Sequence, residues 1–485
     1  MVAVFSGVAN ELGLAHLCSS RSPRDVALLI VLRFVRLFAF GSIAPILVLF
    51  LSALGFSDSK VGLFLSLTLL GDVGLSLLVS WWADKVGRRR VLAAGAAAMG
   101  VSGLVFFLSR SYIPLLLAAT FGVVSRASSP PLPAGPPGPS SDFWYGSASG
   151  NEVGPFSAIE NSILSQLVGA KDRIFILMWY QVLGFVGLAL GSVWAGQLVS
   201  AEQDGHEGYR VVFLVYAISA IVGMVLVFFM TPLSELDHPS FEMLPRDAVE
   251  PESPTTPVLE TVSSERRPLL DRTASSTPYV NPSAPKIAFD TTDDTSTLSL
   301  PRLLFVAILF SVDSFASSLT PASYVSFFFK THYGASVKAI TRVLASSALG
   351  AVATSLLAGA LVKRIGLVLA MVTTHLPAQC LTIGMAFAPS IPSVYTLYIL
   401  RTMFSSIDSS IRAALLAAMV PKAARTRLLG SVDVCRTLAA APGPFVTGRL
   451  VTVGLLAWTF VISGSIKIGY DLALLVGFRS AKLQH

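Results

Sequence analysis

The stretch Ser80-Trp-Trp-Ala-Asp-Lys-Val-Gly-Arg-Arg-Arg90 decides how this chain is read. It is a short charged connection between two long apolar runs, Val61 to Leu78 and Val91 to Leu108. Clusters of Arg and Lys that close to apolar runs face the cytoplasm when the runs cross a membrane. Gly87 lets the chain reverse sharply between two such helices.

The composition agrees. Hydrophobic residues make up 53% of 485 and charged residues 13%, against about 25% charge in soluble domains. Apolar stretches of spanning length recur along the chain. The net charge of +7 does not imply a nucleic-acid partner. Residues 232–300 hold 12 acidic and 5 basic side chains, so the remainder carries +14. That charge sits in short loops beside apolar runs and reports orientation in the bilayer. Three cysteines (Cys18, Cys380, Cys435) make no disulfide framework. The latter two lie in apolar runs and read as packing residues. The N-terminus shows no cleavable signal pattern, its first basic residue being Arg21.

The pattern predicts an all-α membrane protein with twelve transmembrane helices in two pseudo-symmetric six-helix bundles. The spans fall near 27–54, 60–82, 91–109, 112–166 (interrupted), 173–199, 210–231, 301–329, 341–362, 367–389, 392–420, 429–450 and 455–478. Residues 1–26 form a cytosolic N-terminal segment and 27–231 the first bundle. A disordered cytosolic linker over 232–300 and a second six-helix bundle over 301–478 follow, then a cytosolic tail over 479–485. Basic residues fall in every second connection, which puts both termini in the cytosol.

The halves echo one another. Leu361-Val-Lys-Arg-Ile-Gly366 stands 279 residues after Trp82-Ala-Asp-Lys-Val-Gly87. Phe445-Val-Thr-Gly448-Arg-Leu-Val451 stands 252 after Val193-Trp-Ala-Gly196-Gln-Leu-Val199, as does Ser409-Ser-Ile-Arg412 after Ser157-Ala-Ile-Glu160. Paired six-helix halves enclosing a mid-membrane site are a transporter's internal symmetry.

The opening stretch resembles the loop 2–3 signature of the major facilitator superfamily, G-x-L-a-D-R-x-G-R-[RK]-x, in its general or sugar- and drug-type branch. Asp84, Gly87, Arg88 and Arg89 match; Ser80 and Lys85 depart from it. The resemblance implies a secondary transporter in which Asp84 and Arg88 latch the halves shut against the start of helix 11. The second copy has Lys363 where its acid would stand. The Gly-Pro signature of drug antiporters is missing from helix 5, which carries Gly184, Gly187, Gly191 and Gly196 without proline. Those glycines, with Gly443 and Gly448, suit close helix approach.

Ionisable side chains inside spans are costly and are therefore functional candidates. Asp72 lies twelve residues before Asp84, about 18 Å into the bilayer. It reads as a proton site or as half of an ion pair with helix 1 or 11. Arg33 and Arg36 share a face of helix 1. Arg33 is expected to snorkel to headgroups, and Arg36 to join Asp313 in a central cavity. Glu152 and Glu160 flank a Gly154-Pro155 break in helix 4, and Glu160 could pair across the halves with Arg412 as a gate. Helix 10 also carries Arg401 and Asp408, and helix 11 carries Asp433 and Arg436 on one face. Lys467 and Asp471, at i and i+4, are read as a self-neutralised structural pair. His375 is read as a packed histidine.

The function expected is secondary transport of a small solute by alternating access, coupled to protons, with Asp72, Glu160 and Asp313 as coupling candidates. A uniporter of the same fold and a non-transporting membrane sensor are the alternatives. An enzyme is not expected, since no H-E-x-x-H or G-x-S-x-G occurs; nor is a cofactor, a metal or nucleic acid. The protein is read as a monomer in the lipid bilayer, at the plasma membrane or a vacuolar or lysosomal membrane. Glu265-Arg-Arg-Pro-Leu269-Leu270 fits an acidic dileucine signal for a sorting adaptor.

The two repeat offsets differ by 27 residues, and residues 126–147, rich in Pro, Gly and Ser, sit where the extra length must lie. Irregular backbone in mid-span would be very costly in lipid, so a translated intron or another gene-model error is expected there, the alternative being a real disordered excursion with helix 4 beginning near Gly150. Sequencing the transcript tests this: a spliced message lacking these codons is the expected result, and an active protein that retains them refutes it.

Overall fold

The computed structural model describes residues 20, 22–121, 156–201, 207–235, 300–355, 357–419 and 425–479. Residues 126–147, Glu152 and the dileucine stretch Glu265 to Leu270 lie outside them. The described residues are helical, with short connections. Span 1 comprises Pro23–Ile43 and Leu47–Ala53, span 2 Asp58–Val86, span 3 Arg88–Leu108, and span 4 the pieces Tyr112–Phe121 and Phe156–Leu167. Span 5 is Ala170–Ala201 and span 6 Glu207–Phe228. In the second half, span 7 comprises Leu300–Ser318 and Ala322–Tyr333, span 8 Val337–Ser355 and Ala358–Ile365, span 9 Leu367–Met385, and span 10 Ile391–Met419. Span 11 comprises Arg425–Ala440 and Gly443–Thr452, and span 12 is Trp458–Arg479.

Local chemistry explains the boundaries. Ser22 caps span 1, its hydroxyl accepting from the Asp25 amide, and Pro23 starts the helix where a missing N–H costs nothing. Span 1 breaks between Ile43 and Leu47, around Pro45. Span 7 breaks between Ser318 and Ala322, around Pro321. The turns repeat as well. Gly87 and Gly366, matched in the sequence repeat, both have positive φ, 101° and 81°. Gly55 and Gly334, at the same offset of 279, have φ of 83° and 65°. The repeat therefore extends to backbone conformations that side-chain-bearing residues rarely adopt.

Six of the described helices are long and apolar enough to cross a membrane by length and composition, among them Glu207–Phe228 and Trp458–Val476. Large apolar side chains such as Leu108, Phe121, Phe228 and Val476 are exposed on the outside, as a lipid-facing surface requires. Cys380 and Cys435 are exposed too, which corrects the expectation that they pack inside.

Helices approach through glycine. A Cβ on Gly187 would lie 2.5 Å from the Phe34 carbonyl oxygen, and one on Gly191 would collide with the Phe38 carbonyl. Spans 1 and 5 are thus in backbone contact. In spans 3 and 6, Phe106 and Phe213 stack at 4.7 Å between ring centroids.

At the end opposite the 2–3 loop the two halves meet. A Cβ on Gly448 of span 11 would lie 2.5 Å from the Asp58 carbonyl oxygen of span 2. Ser66 accepts from the Phe445 amide at 2.9 Å, and the Ser59 and Thr452 hydroxyls share a hydrogen bond of 3.0 Å. Gly196 of span 5 abuts Thr341 of span 8. Phe50 and Phe64 share an apolar core with Tyr324 and Phe327 there.

The glycine contacts give a signed prediction. Gly191→Ala should destabilise the protein by about 1–3 kcal/mol through overpacking. Gly74→Ala, whose Cβ meets nothing within 4 Å, should be neutral or stabilising by up to about 1 kcal/mol. Thermal unfolding of the detergent-purified variants measures both.

Candidate functional site

The first cluster of buried charge lies among spans 1, 4 and 5. Arg36, one turn beyond Arg33, gives both terminal nitrogens to Glu160: Nη2 donates to Oε2 at 2.6 Å, and Nη1 makes a short contact with Oε1. The Tyr180 hydroxyl also donates to Glu160. Glu160 is fully buried, so its charge is matched by a fork of donors of complementary geometry. Arg33 donates to Gln181 Oε1 at 2.8 Å and lies 4.6 Å from the Tyr180 ring centroid.

Two expectations are corrected here. Arg33 does not snorkel: it is 2% exposed, because an aromatic face and an amide lie within its reach. Arg36 pairs with Glu160 in its own half and not with Asp313. Glu160 makes its pair within the first bundle; Arg412, weighed as its partner across the halves, has its side chain outside the described residues. Beside Arg36 is a cavity of about 20 Å³ bounded by Leu32, Met99 and Ser219. That is room for about one water and no solute.

The second cluster lies among spans 7, 9, 10 and 12. His375 Nδ1 is 2.8 Å from Asp471 Oδ1, and its Nε2 is 3.7 Å from Asp313 Oδ1. Lys467 Nζ stands 3.7 Å from the same Asp313 oxygen. Asp408 is fully buried and lies within electrostatic reach of Asp471. The Tyr470 ring meets the imidazole edge-on, centroids 5.8 Å apart. Two further expectations are corrected. Lys467 and Asp471 are not a self-contained pair, since each turns to a group on another span. His375 is not a packed histidine in apolar surroundings, because both its ring nitrogens face carboxylates. Nearby, Arg436 Nε donates to Ser314 at 3.1 Å and Arg401 Nε to Thr382 at 3.0 Å.

Asp72 stands apart. It is 3% exposed on span 2, and among the described residues no cation lies within ion-pair range of it. The ion pair weighed for it with span 1 or span 11 is not seen.

The 2–3 loop is clasped from its own half. Glu235, just past span 6, accepts from the Arg88 amide at 2.7 Å and from the Arg89 amide at 3.2 Å. Its carboxylate caps the positive end of span 3, where amides are otherwise unpaired. Arg88 itself is buried, and Arg89 reaches the Phe228 carbonyl at 3.3 Å. Asp25 accepts from the Thr231 amide at 2.9 Å and from its hydroxyl, tying the start of span 1 to the end of span 6. The side chains of Asp84 and Asp433 lie outside the described residues. Sequence reasoning missed Asp25, Tyr180, Gln181 and Glu235. An acid in a helix first turn, as Asp25 is, was the one readable signal among them.

The sequence profile of the Major Facilitator Superfamily matches residues 29–135 and 303–482. This chain belongs to that superfamily. It is 29% identical, over 475 residues and 96% of both chains, to an uncharacterized membrane protein of Saccharomyces cerevisiae, YJR124C. Among solved structures, it is similar to an inward-facing, unoccupied bacterial homolog of the human lysosomal transporter Spinster (TM-score 0.62, 14% identity, covering 95% of this chain and 97% of that one). It is also similar to a D-xylose-proton symporter (TM-score 0.63, 13%, 93% and 96%) and to the nucleoside transporter NupG (0.61, 13%, 94% and 99%). At such identities the likeness is one of fold. Membership and fold make the chain an integral multi-pass membrane protein of a transporter family.

The first cluster makes its own prediction. Glu160→Gln should cost about 3–5 kcal/mol, because it strands a buried guanidinium. Removing both charges with Arg36→Met and Glu160→Gln should cost less than Glu160→Gln alone. Thermal unfolding of the three variants measures the coupling.

Proposed function

We propose that this protein is a proton-coupled secondary transporter that carries a small solute by alternating access. The observation that carries the coupling is Asp72, a buried carboxyl group in a spanning helix without a countercharge among the described residues. Ionising a carboxyl group in apolar surroundings is costly, and contact with water or a cation removes most of that cost. A group in such a position binds or releases a proton as its surroundings change, which is the requirement for linking proton movement to a conformational cycle.

The halves pack closely at the end opposite the 2–3 loop. With the basic loops in the cytosol, that end faces outward, and the conformation is the one closed to the outside. Gly62, Gly448 and Gly196 are then contacts of the outer gate. Glu160 serves a different purpose from the one its sequence position suggested: paired with Arg36 and Tyr180, it holds spans 1, 4 and 5 together. The other coupling candidate, Asp313, sits among ionisable groups that can share a proton with it. A uniporter of the same fold is the reading that a pH-indifferent exchange would favour.

Reconstituted protein under an imposed gradient of one pH unit should accumulate its solute about tenfold per coupled proton. Asp72→Asn should lose that accumulation and still show measurable exchange. Accumulation by Asp72→Asn equal to that of the parent protein refutes the assignment.

A further inference from the structure

We propose that His375, held between Asp471 and Asp313, is a second proton-binding centre of this transporter. The proposal rests on the proton-coupled reading above and adds the group in the C-terminal bundle that takes up the proton.

A neutral imidazole has one N–H and one nitrogen lone pair. Here Nδ1 meets a carboxylate oxygen at 2.8 Å and Nε2 faces another at 3.7 Å. In the neutral ring, one of these nitrogens would point a lone pair at an ionised carboxylate. An added proton on the second ring nitrogen turns that lone pair into a donor facing the carboxylate. With that proton present and Lys467 beside Asp313, the four groups His375, Asp313, Lys467 and Asp471 are together neutral. When it leaves, as a proton passed to water with the electron pair kept by the nitrogen, the same groups carry a net negative charge inside a membrane bundle.

Further charged and titratable groups among the described residues face the site. On span 10, Asp408 adds a further acid near Asp471, and Arg401 donates to Thr382 of span 9. On span 11, Arg436 donates to Ser314, next to Asp313. On span 12, Tyr470 meets the ring edge-on. The last turn of span 8 carries Arg364, which is exposed.

The geometry also has slack of the right size. Nδ1 is at hydrogen-bond distance, whereas Nε2 and Lys467 each stand 3.7 Å from the same Asp313 oxygen. Nε2 and Asp471 Oδ2 are buried without a hydrogen-bond partner among the described residues. Small shifts of span 7 against spans 9 and 12 would close or open these contacts. Proton occupancy and the packing of the three spans are therefore linked, because each favours the other.

The test reads the proton directly. Nitrogen NMR of histidine-labelled protein in liposomes, with the His375 signals identified by their loss in His375→Gln, should show its nitrogens gaining and losing a proton as the pH is stepped across a range. Asp471→Asn keeps the ring and should shift that titration, and it serves where His375→Gln does not fold. Under a gradient of one pH unit, His375→Gln should lose about tenfold in solute accumulation, and the exposed His332→Gln should lose none. His375 nitrogens fixed in one protonation state across the range overturn the proposal, as does full accumulation by His375→Gln. Solute movement by the parent protein without protons would instead refute the coupled reading, and the NMR would still decide whether His375 exchanges its proton.

Discussion

Every charge buried in these bundles must find its partner within the protein, because neither lipid nor the apolar core supplies one. The Arg36–Glu160 fork is the fullest expression of that constraint. It joins the helix Pro23–Ile43 of span 1 to the helix Phe156–Leu167 of span 4, at a depth where Glu160 has no contact with solvent. Replacing such a pair by apolar residues need not weaken a protein, whereas breaking one does. The pair therefore acts by specifying which faces of spans 1, 4 and 5 meet, and Tyr180 and Gln181 extend the same specification to Arg33.

The two halves share a backbone plan and differ in their chemistry. Turns with positive φ recur at one offset, and spans 1 and 7 break at matched prolines. The buried charges do not repeat. The first half sets Arg36 on the Glu160 carboxylate, with Arg33 on Tyr180 and Gln181 beside it. The second gathers three carboxylates around one ammonium and one imidazole. A rocking motion needs the shared plan, since both halves must present equivalent surfaces to each other in two arrangements. The proposed coupling would use the difference, since an excess of acid favours a bound proton.

The fold was legible in the sequence for definite reasons. A charged turn at Gly87 admits one backbone solution, and its counterpart at Gly366 confirmed the repeat. The rest of the site was harder to read. Which way a side chain points from an apolar helix depends on helix rotation, and lipid and core are alike apolar, so the spans carry little periodic signal to fix it. Glu160 could equally have faced Arg412, and Lys467 could have folded back on Asp471. His375 looked inert because its partners come from spans more than 60 residues away in sequence. Glu235 was hidden at the edge of an acidic linker, where one carboxylate looks like the next.

The central claim is that solute and protons move together through this protein. The most direct measurement is the lumenal pH of proteoliposomes containing the parent protein, challenged with pooled metabolites and then with single solutes. The account predicts a pH change that appears with one solute class and vanishes without it. Labelled solute entering at full rate with no movement of protons would contradict it.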